Sequence, residues 1–373
     1  MACLLQMRIE ISMKRIALFI NSLQKGGSER VMVNLAEYFQ SQNYDVILVT
    51  QYRRENEYAL SHGIRRIFSE PEPEELTGSR VKNFCIRFRC LREIWKSYKP
   101  DIILSFLGKN NLMAIATTAF LPVKVAVSVR GEPTMEYEGR LMRFLAKQMF
   151  RFADGVILQT QRAKEFFPKA VQKKSVILKN PLSPAFLGQK PALHRDNVIV
   201  AAGRLDENKN HAMLIHAFAK IAGEYPEMRL VIYGEGKLRE SLMQLAAEKE
   251  LTDRITLPGS VDNVAEEIGR ARIFALTSNT EGMPNSIIEA MVLGTPVIST
   301  DCPCGGPAML INDGENGLLV PVGDAYALAD AMRKLLADGE LAQRISENAR
   351  KLADELDPKK VDKEWSEYLF GQL

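Results

Sequence analysis

Two kinds of hydrophobic spacing alternate along the chain. Short runs rich in β-branched residues have the length and composition of covered strands: RIALFI, DVILVT, DIILSFL, VKVAVSV and GVILQT, then NVIVAAG, RLVIYG, RITLPG, IFALTS and PVISTD. Between them lie stretches with apolar residues three and four positions apart, such as SERVMVNLAEYFQSQ and residues 210–225, which predict amphipathic helices. Strand and helix in alternation predict parallel sheets with helices on both faces. The longest apolar segment, Leu112 to Val129, contains Pro122 and Lys124 and predicts a buried helix followed by a strand, not a membrane span.

The series runs twice. Three prolines and a group of polar residues interrupt it in LKNPLSPAFLGQKPALHRDN, residues 178–197. The expected organisation is an α/β chain with a doubly wound, Rossmann-like domain over 1–180 and a second over 190–350. A final helix over 351–373 carries Trp365 and is expected to pack back on the first domain. With 373 residues the chain exceeds what one core usually supports. Two such domains on one linker would face a central cleft lined by the carboxyl ends of both sheets, where ligands of this architecture bind. Met13-Lys14-Arg15 directly precedes the first strand, so residues 1–12 read as an extension or an alternative start. Their apolar run is too short and too interrupted by charge for a signal peptide.

Charge adds a direction. The net charge is only +3, yet residues 1–180 carry 29 Lys and Arg against 17 Asp and Glu, and the remainder carries 20 against 29. A basic first half favours an anionic partner. Residues 79–99 and 139–152 interleave Arg and Lys with Phe, Leu, Met and Trp, as helices do at an anionic membrane surface and as ordinary amphipathic helices also do. Nucleic acid is not expected, because no helix-turn-helix, zinc-finger or RNA-binding signature accompanies the basic half. Five cysteines are too few and too scattered for a disulfide framework, so a reducing, cytoplasmic setting is expected. Cys302 and Cys304 form C-P-C without a partner cluster and read as a loop, not a zinc site.

The candidate chemistry sits where strands give way to helices. GRLDENKNH, residues 203–211, offers Gly203 for a tight exit and then Arg204 and Lys209, a fork and a point charge suited to a diphosphate at a helix N-terminus. GGSER, residues 26–30, offers Gly26 and Gly27 for close backbone approach, with Ser28 as a candidate cap. It lacks the G-x-G-x-x-G pattern of a dinucleotide site. In YGEGKLR, Gly234 and Gly236 either border a nucleotide or simply turn the chain. In SNTEGMPNSIIEAMVLGTPVIST, Pro284 suits a helix entry, Asn285 or Ser286 a cap, and Gly294 the exit. Glu281 then lies in the loop before the helix and Glu289 in its first turns. The N–H groups from Gly282 to Ser286 are candidate donors to a sugar or phosphate. Taken alone, the same pattern also describes a capped helix with two solvated glutamates.

The ordered set GGSER, GRLDENKN, YGEG, EGMPNSIIEAM, GTPVISTD and DGENGLLVPVGD resembles the family-4 retaining glycosyltransferases, and most strongly from Asn197 to Asp324. Glu281 and Glu289, with seven residues between, match that family's signature. The resemblance implies a GT-B fold and a nucleotide-sugar donor, UDP-linked on family frequency, held mainly by the second domain. It implies that Arg204 and Lys209 bind the diphosphate and Glu289 the ribose hydroxyls. Glu281 and the backbone of Gly282, Met283, Pro284 and Asn285 hold the transferred sugar, Gly234 lines the donor site, and Gly26 and Gly27 border the phosphates. Neither metal nor cofactor is implied, and the chain has no D-x-D pair.

Two positions depart from the family pattern. Arg130, in VSVRGEP, stands where many members carry a histidine near the donor sugar, and Met309 replaces a frequent glutamate. Arg130 is accordingly a candidate for bonding the sugar or an acceptor diphosphate. The implied acceptor is a glycan or polyprenyl-diphosphate-linked sugar of cell-surface polysaccharide, reached from the inner face of the membrane. Two other readings share the same features: a sugar-nucleotide epimerase, for which His211 and His216 are poorly arranged acid–base groups, and a non-catalytic sugar-nucleotide-binding subunit.

Overall fold

A computed structural model describes residues 13–183, 186–189, 191–192, 194–261 and 263–373. The extension expected at residues 1–12 lies outside the described residues. The first half of the chain supplies strands β1 (Arg15–Ile20), β2 (Asp45–Thr50), β3 (Arg65–Phe68), β4 (Ile102–Phe106), β5 (Lys124–Ser128), β6 (Gly155–Leu158) and β7 (Ser175–Ile177). They form one sheet in the order β3-β2-β1-β4-β5-β6-β7. The second half supplies β8 (Asp196–Ala202), β9 (Arg229–Tyr233), β10 (Ile255–Gly259), β11 (Ala271–Leu276), β12 (Val297–Thr300) and β13 (Leu318–Val320), ordered β10-β9-β8-β11-β12-β13.

Strand β1 pairs in parallel with β2 on one side and β4 on the other, and β8 does the same with β9 and β11. The winding direction therefore reverses beside the first strand of each sheet, which is where open α/β sheets leave a crevice at their carboxyl edge. The ten runs named from the sequence all become strands. Three strands escaped that reading: β3 is short and arginine-rich, while β7 and β13 have only three residues each.

The chain clusters into two compact units. One takes in the chain as far as Ser128 with Gln148–Val156 and Leu369–Leu373; the other takes in Val129–Lys147 and Ile157–Tyr368. In the first, Trp95 is buried edge-on to Phe19, and its indole N–H donates to Thr117 Oγ1 at 2.9 Å. Phe370 stacks on Tyr44 with ring centroids 4.2 Å apart. In the second, the helix His211–Ile221 and the helix Ala325–Ala337 seal one core over β8, β9 and β11. Its last helix, Pro358–Glu367, starts with Pro at N1 and an Asp357 cap, and buries Trp365, whose N–H donates to Lys179 O at 3.0 Å.

The two basic segments both form helices. Arg80–Tyr98 is capped by Ser79 and buries only Leu91 and Trp95, leaving Val81 and Phe84 exposed. Arg140–Met149 buries only Ala146 and exposes Leu141 and Phe144. The segment Leu112–Val129 becomes the end of the helix Gly108–Thr118 and then β5. None of the described helices is long and apolar enough to cross a membrane.

Candidate active site

The exits of β8 and β9 are built on glycine. Beyond the strands the two chains keep pairing, with Gly203 N donating to Tyr233 O and Leu205 N to Glu235 O, each at 2.9 Å. A Cβ on Gly234 would lie 1.9 Å from Gly203 O, and one on Gly236 would lie 2.3 Å from Leu205 O. Gly234 also has φ +136°, so both space and conformation demand glycine there. These two glycines thus let one strand exit lie directly on the other.

That support presents Arg204 and Lys209 differently. Arg204 is open to solvent, its side chain 73% exposed and its Nε 3.2 Å from Asp206 Oδ2. Lys209 is tucked in: its side chain is 16% exposed, that of Glu281 is 14%, and Nζ lies 2.5 Å from Glu281 Oε1. Ser278 Oγ donates to the same carboxylate oxygen at 2.6 Å.

A lacing of asparagines fixes the two loops that carry this pair. Asn208 Oδ1 accepts from Thr280 N at 3.1 Å and Thr280 Oγ1 at 2.9 Å, while its Nδ2 donates to Thr280 O at 3.0 Å. The amide copies a strand partner for the residue just before Glu281. Asn279 N donates to Asn208 O at 2.7 Å, Asn279 Nδ2 donates to Glu207 O at 2.8 Å, and Thr277 Oγ1 donates to Lys209 O at 2.9 Å. Sequence inspection named the charged residues and passed over these asparagines, although the N-K-N spacing around Lys209 was a visible signal. Beside them His211 is buried; burial and then the Lys209 charge hold its pKa down at about 4, so the ring is neutral.

The helix behind Glu281 spans Asn285–Val292, with Pro284 as its N-cap residue and no side-chain cap bond. The capping role expected of Asn285 or Ser286 is not what the fold uses, because Asn285 Oδ1 instead accepts from Asn180 Nδ2 at 2.7 Å. Gly294 closes the helix at φ +74°, as expected. Glu289 is 5% exposed and sits on the inward face beside Ile288 and Met291, so it is no solvated surface glutamate. Of the backbone donors between Gly282 and Ser286, Met283 N–H is already committed to Gln159 Oε1 at 3.1 Å, and Pro284 has none. Ser28 likewise does not cap: the helix Gly27–Ser41 begins after Gly26 without a side-chain bond, so Gly26 and Gly27 themselves make the turn.

Arg130 lies two residues beyond β5 and is 7% exposed. Its Nη2 donates to Asn180 Oδ1, its guanidinium carbon lies 5.7 Å from the Trp365 ring centroid, and its own N–H donates to Glu136 Oε1 at 2.7 Å. Gly305 (φ +79°) caps the short helix Gly306–Leu310, and a Cβ on Gly306 would fall 1.3 Å from Gly282 O. The loops at 282 and 306 are therefore in backbone-to-backbone contact. Met309, in place of the frequent glutamate, is exposed on that short helix. Cys302 and Cys304 are buried between, their thiol pKa values pushed up chiefly by burial to about 11 and about 12, which leaves them protonated and unreactive.

The second unit thus carries a half-buried lysine–carboxylate pair, an exposed arginine and a buried glutamate close to its glycine-rich strand exits. The profile described as Glycosyl transferases group 1 matches residues 185–352, and that described as Glycosyltransferase Family 4 matches residues 25–185. The chain belongs to glycosyltransferase family 4 and is a glycosyltransferase of the GT-B fold.

Two Campylobacter jejuni relatives are similar over nearly the whole length. One, an alpha-1,4-N-acetyl-D-galactosaminyltransferase named for a GalNAc-GalNAc-diNAcBac-PP-undecaprenol substrate, is 26% identical over 95% of this chain and 97% of its own. The other, a 4-alpha-N-acetylgalactosaminyltransferase named for an N-acetylgalactosamine-N,N'-diacetylbacillosaminyl-diphospho-undecaprenol, is 27% identical over 96% of this chain and 100% of its own. The crystal structure of Anabaena HepE in complex with UDP superposes with a TM-score of 0.80 at 18% identity, covering 96% of this chain and 99% of HepE.

Proposed function

We propose that this chain transfers a hexose or N-acetylhexosamine from a UDP-sugar to a glycan carried on polyprenyl diphosphate, with retention at the anomeric carbon. The observation that carries the reading is the half-buried Lys209–Glu281 pair in front of the helix that carries Glu289, with seven residues between the two glutamates. A leaving nucleoside diphosphate gains negative charge as the glycosidic bond breaks. Arg204, exposed to solvent, and Lys209, held against Glu281, supply positive charge where that develops, without asking for a metal. Glu289 takes the ribose hydroxyls. Glu281 accepts from a sugar hydroxyl and so orients the ring; it is an orienting group, not a nucleophile. In front-face transfer a donor phosphate oxygen helps to remove the acceptor proton, and configuration is kept.

The acceptor half of the proposal draws support from the undecaprenyl-linked substrates named for both Campylobacter relatives. It also fits the helix Arg140–Met149, which exposes Leu141 and Phe144 among Arg140, Arg143 and Lys147. Such a helix suits an anionic membrane surface, where the acceptor's lipid would be anchored and where a peripheral enzyme of the inner face would meet it.

Incubation with labelled UDP-sugars and a polyprenyl-diphosphate-linked oligosaccharide tests the reaction. Transfer with an α-linked product from an α-linked donor is expected; an inverted product, or interconversion of the donor sugar without transfer, refutes it. Sedimentation with anionic vesicles at low and moderate salt tests the docking surface, and no binding at either salt refutes that part.

A further inference from the structure

The loop Gly282–Asn285 does not hold its own shape: it is gripped from behind by three polar side chains. Asn180, 2% exposed, uses both ends of its amide. Its Oδ1 accepts from Arg130 Nη2 and from Gln159 Nε2 at 2.8 Å, and its Nδ2 donates to Met283 O at 3.2 Å and Asn285 Oδ1 at 2.7 Å. Asn180 N–H also meets Met283 Sδ at 3.2 Å. Gln159 adds its Oε1 to Met283 N–H at 3.1 Å. Both backbone polar groups of Met283 are thereby taken by side chains, and the residue makes no secondary-structure bond of its own there.

The loop is also pressed against these residues. A Cβ on Gly282 would lie 2.3 Å from Arg130 O and 2.3 Å from Gln159 Oε1. Any rotation of the 282–285 backbone must therefore break a hydrogen bond to the side-chain amide of Gln159 or Asn180. Arg130 polarises the hub: a cation donating to Asn180 Oδ1 strengthens the opposite amide N–H as a donor toward the loop.

We infer that Asn180, with Gln159 and Arg130, is a positioning hub that sets the Gly282–Asn285 loop for the donor sugar, so that Arg130 acts on the sugar through Asn180. The inference rests on the reading of that loop as the sugar's seat. It separates two parts of donor binding: nucleotide contacts at Lys209, Arg204 and Glu289 lie outside the hub, while sugar contacts depend on it.

The variant Asn180→Asp keeps the acceptor facing Arg130 and Gln159 but turns the loop-facing donor into an acceptor. Two measurements follow. Hydrogen exchange, followed by mass spectrometry, should speed up at least tenfold in peptides covering 281–286, while peptides of β8 and β11 keep wild-type rates. By titration calorimetry, UDP should bind within twofold of wild type, whereas UDP-N-acetylgalactosamine loses the added affinity its sugar gives; kcat falls at least tenfold. Equal losses for UDP and the UDP-sugar, or unchanged exchange at 281–286, overturn the hub. Arg130→Lys serves as the second variant and should act in the same direction with a smaller effect. If it abolishes turnover while exchange at 281–286 is untouched, Arg130 contacts substrate directly and the inference fails. If wild-type protein gains nothing from the sugar, the donor reading fails, and the exchange measurement still decides the hub.

Discussion

Gly306→Ala puts the backbone packing of the site to a quantitative test. The new Cβ would stand 1.3 Å from Gly282 O, 2.5 Å from Gly282 C and 3.1 Å from Glu281 O. Ordinary carbon contacts lie at about 3.5 Å, so the two chains must part by about 2 Å. Neither side can yield cheaply, because both are main chain, Gly306 opens a helix that Gly305 caps at φ +79°, and Gly282 is wedged on Arg130 O and Gln159 Oε1. Overpacking costs about 1–3 kcal/mol, and a collision with no flexible side chain to absorb it belongs at the upper end, about 3 kcal/mol. For a folding unit of some two hundred residues, that lowers Tm by about 6–12 °C. Differential scanning calorimetry of Gly306→Ala against wild type reads this directly. Gly223→Ala is the control, since a Cβ there meets nothing within 4 Å, and it should stay within about 1 °C of wild type. A Gly306→Ala protein that melts within about 2 °C of wild type refutes the claim that the two loops are locked backbone to backbone.

Lys209 and Glu281 should behave as one unit: in a chemical-denaturation cycle, Lys209→Ala, Glu281→Gln and the double variant should show a coupling of about 1–3 kcal/mol, and additivity within about 0.3 kcal/mol argues against the pair. Lys209→Ala should also lower kcat more than it raises KM, because its charge matters most as the diphosphate departs; unchanged turnover contradicts the assignment. His211 has its pKa depressed to about 4 by burial and then by Lys209, so its contribution is complete above about pH 6.5 and is lost as the pH falls toward 4, about 3 kcal/mol in all. Urea melts of wild type and His211→Gln across that window should converge as the pH falls; a constant difference refutes it. Asp362 has the opposite sign. Burial, then the Asp357 charge, raises its carboxyl to about 7, so ionising it above that pH destabilises the fold, and Asp362→Asn should stabilise at pH 8.5 and change little at pH 4.

The strand skeleton was legible because buried parallel strands are written as unbroken β-branched runs, and DVILVT or IFALTS resemble little else. Which residues carry charge at the strand exits was legible for the same reason, since Arg204, Lys209 and Glu281 stand next to those runs. Their surroundings were not. A helix entry at Pro284 invites a cap from Asn285, yet the asparagine is claimed by Asn180, more than a hundred positions earlier, and nothing local to either residue encodes that. Gly234 and Gly236 looked equally suited to a ligand or a turn, and only the facing carbonyls of Gly203 and Leu205 show what the missing side chains make room for. Glu289 could be read as solvated from the helical pattern alone; its burial is a fact of tertiary packing.

The three strands that escaped sequence reading have a consequence beyond the site. Strands β3, β7 and β13 are sheet margins, and the fourth margin, β10, carries Pro258. Strand β3 presents Arg65 and Arg66 in four residues, and β7 and β13 offer three residues each. A passing chain finds few free backbone groups there, and finds charge or a missing N–H beside them. The traits that blur these strands in a hydrophobicity pattern are the ones that end sheet growth, so both sheets can present long apolar interiors in a crowded cell without templating their own aggregation.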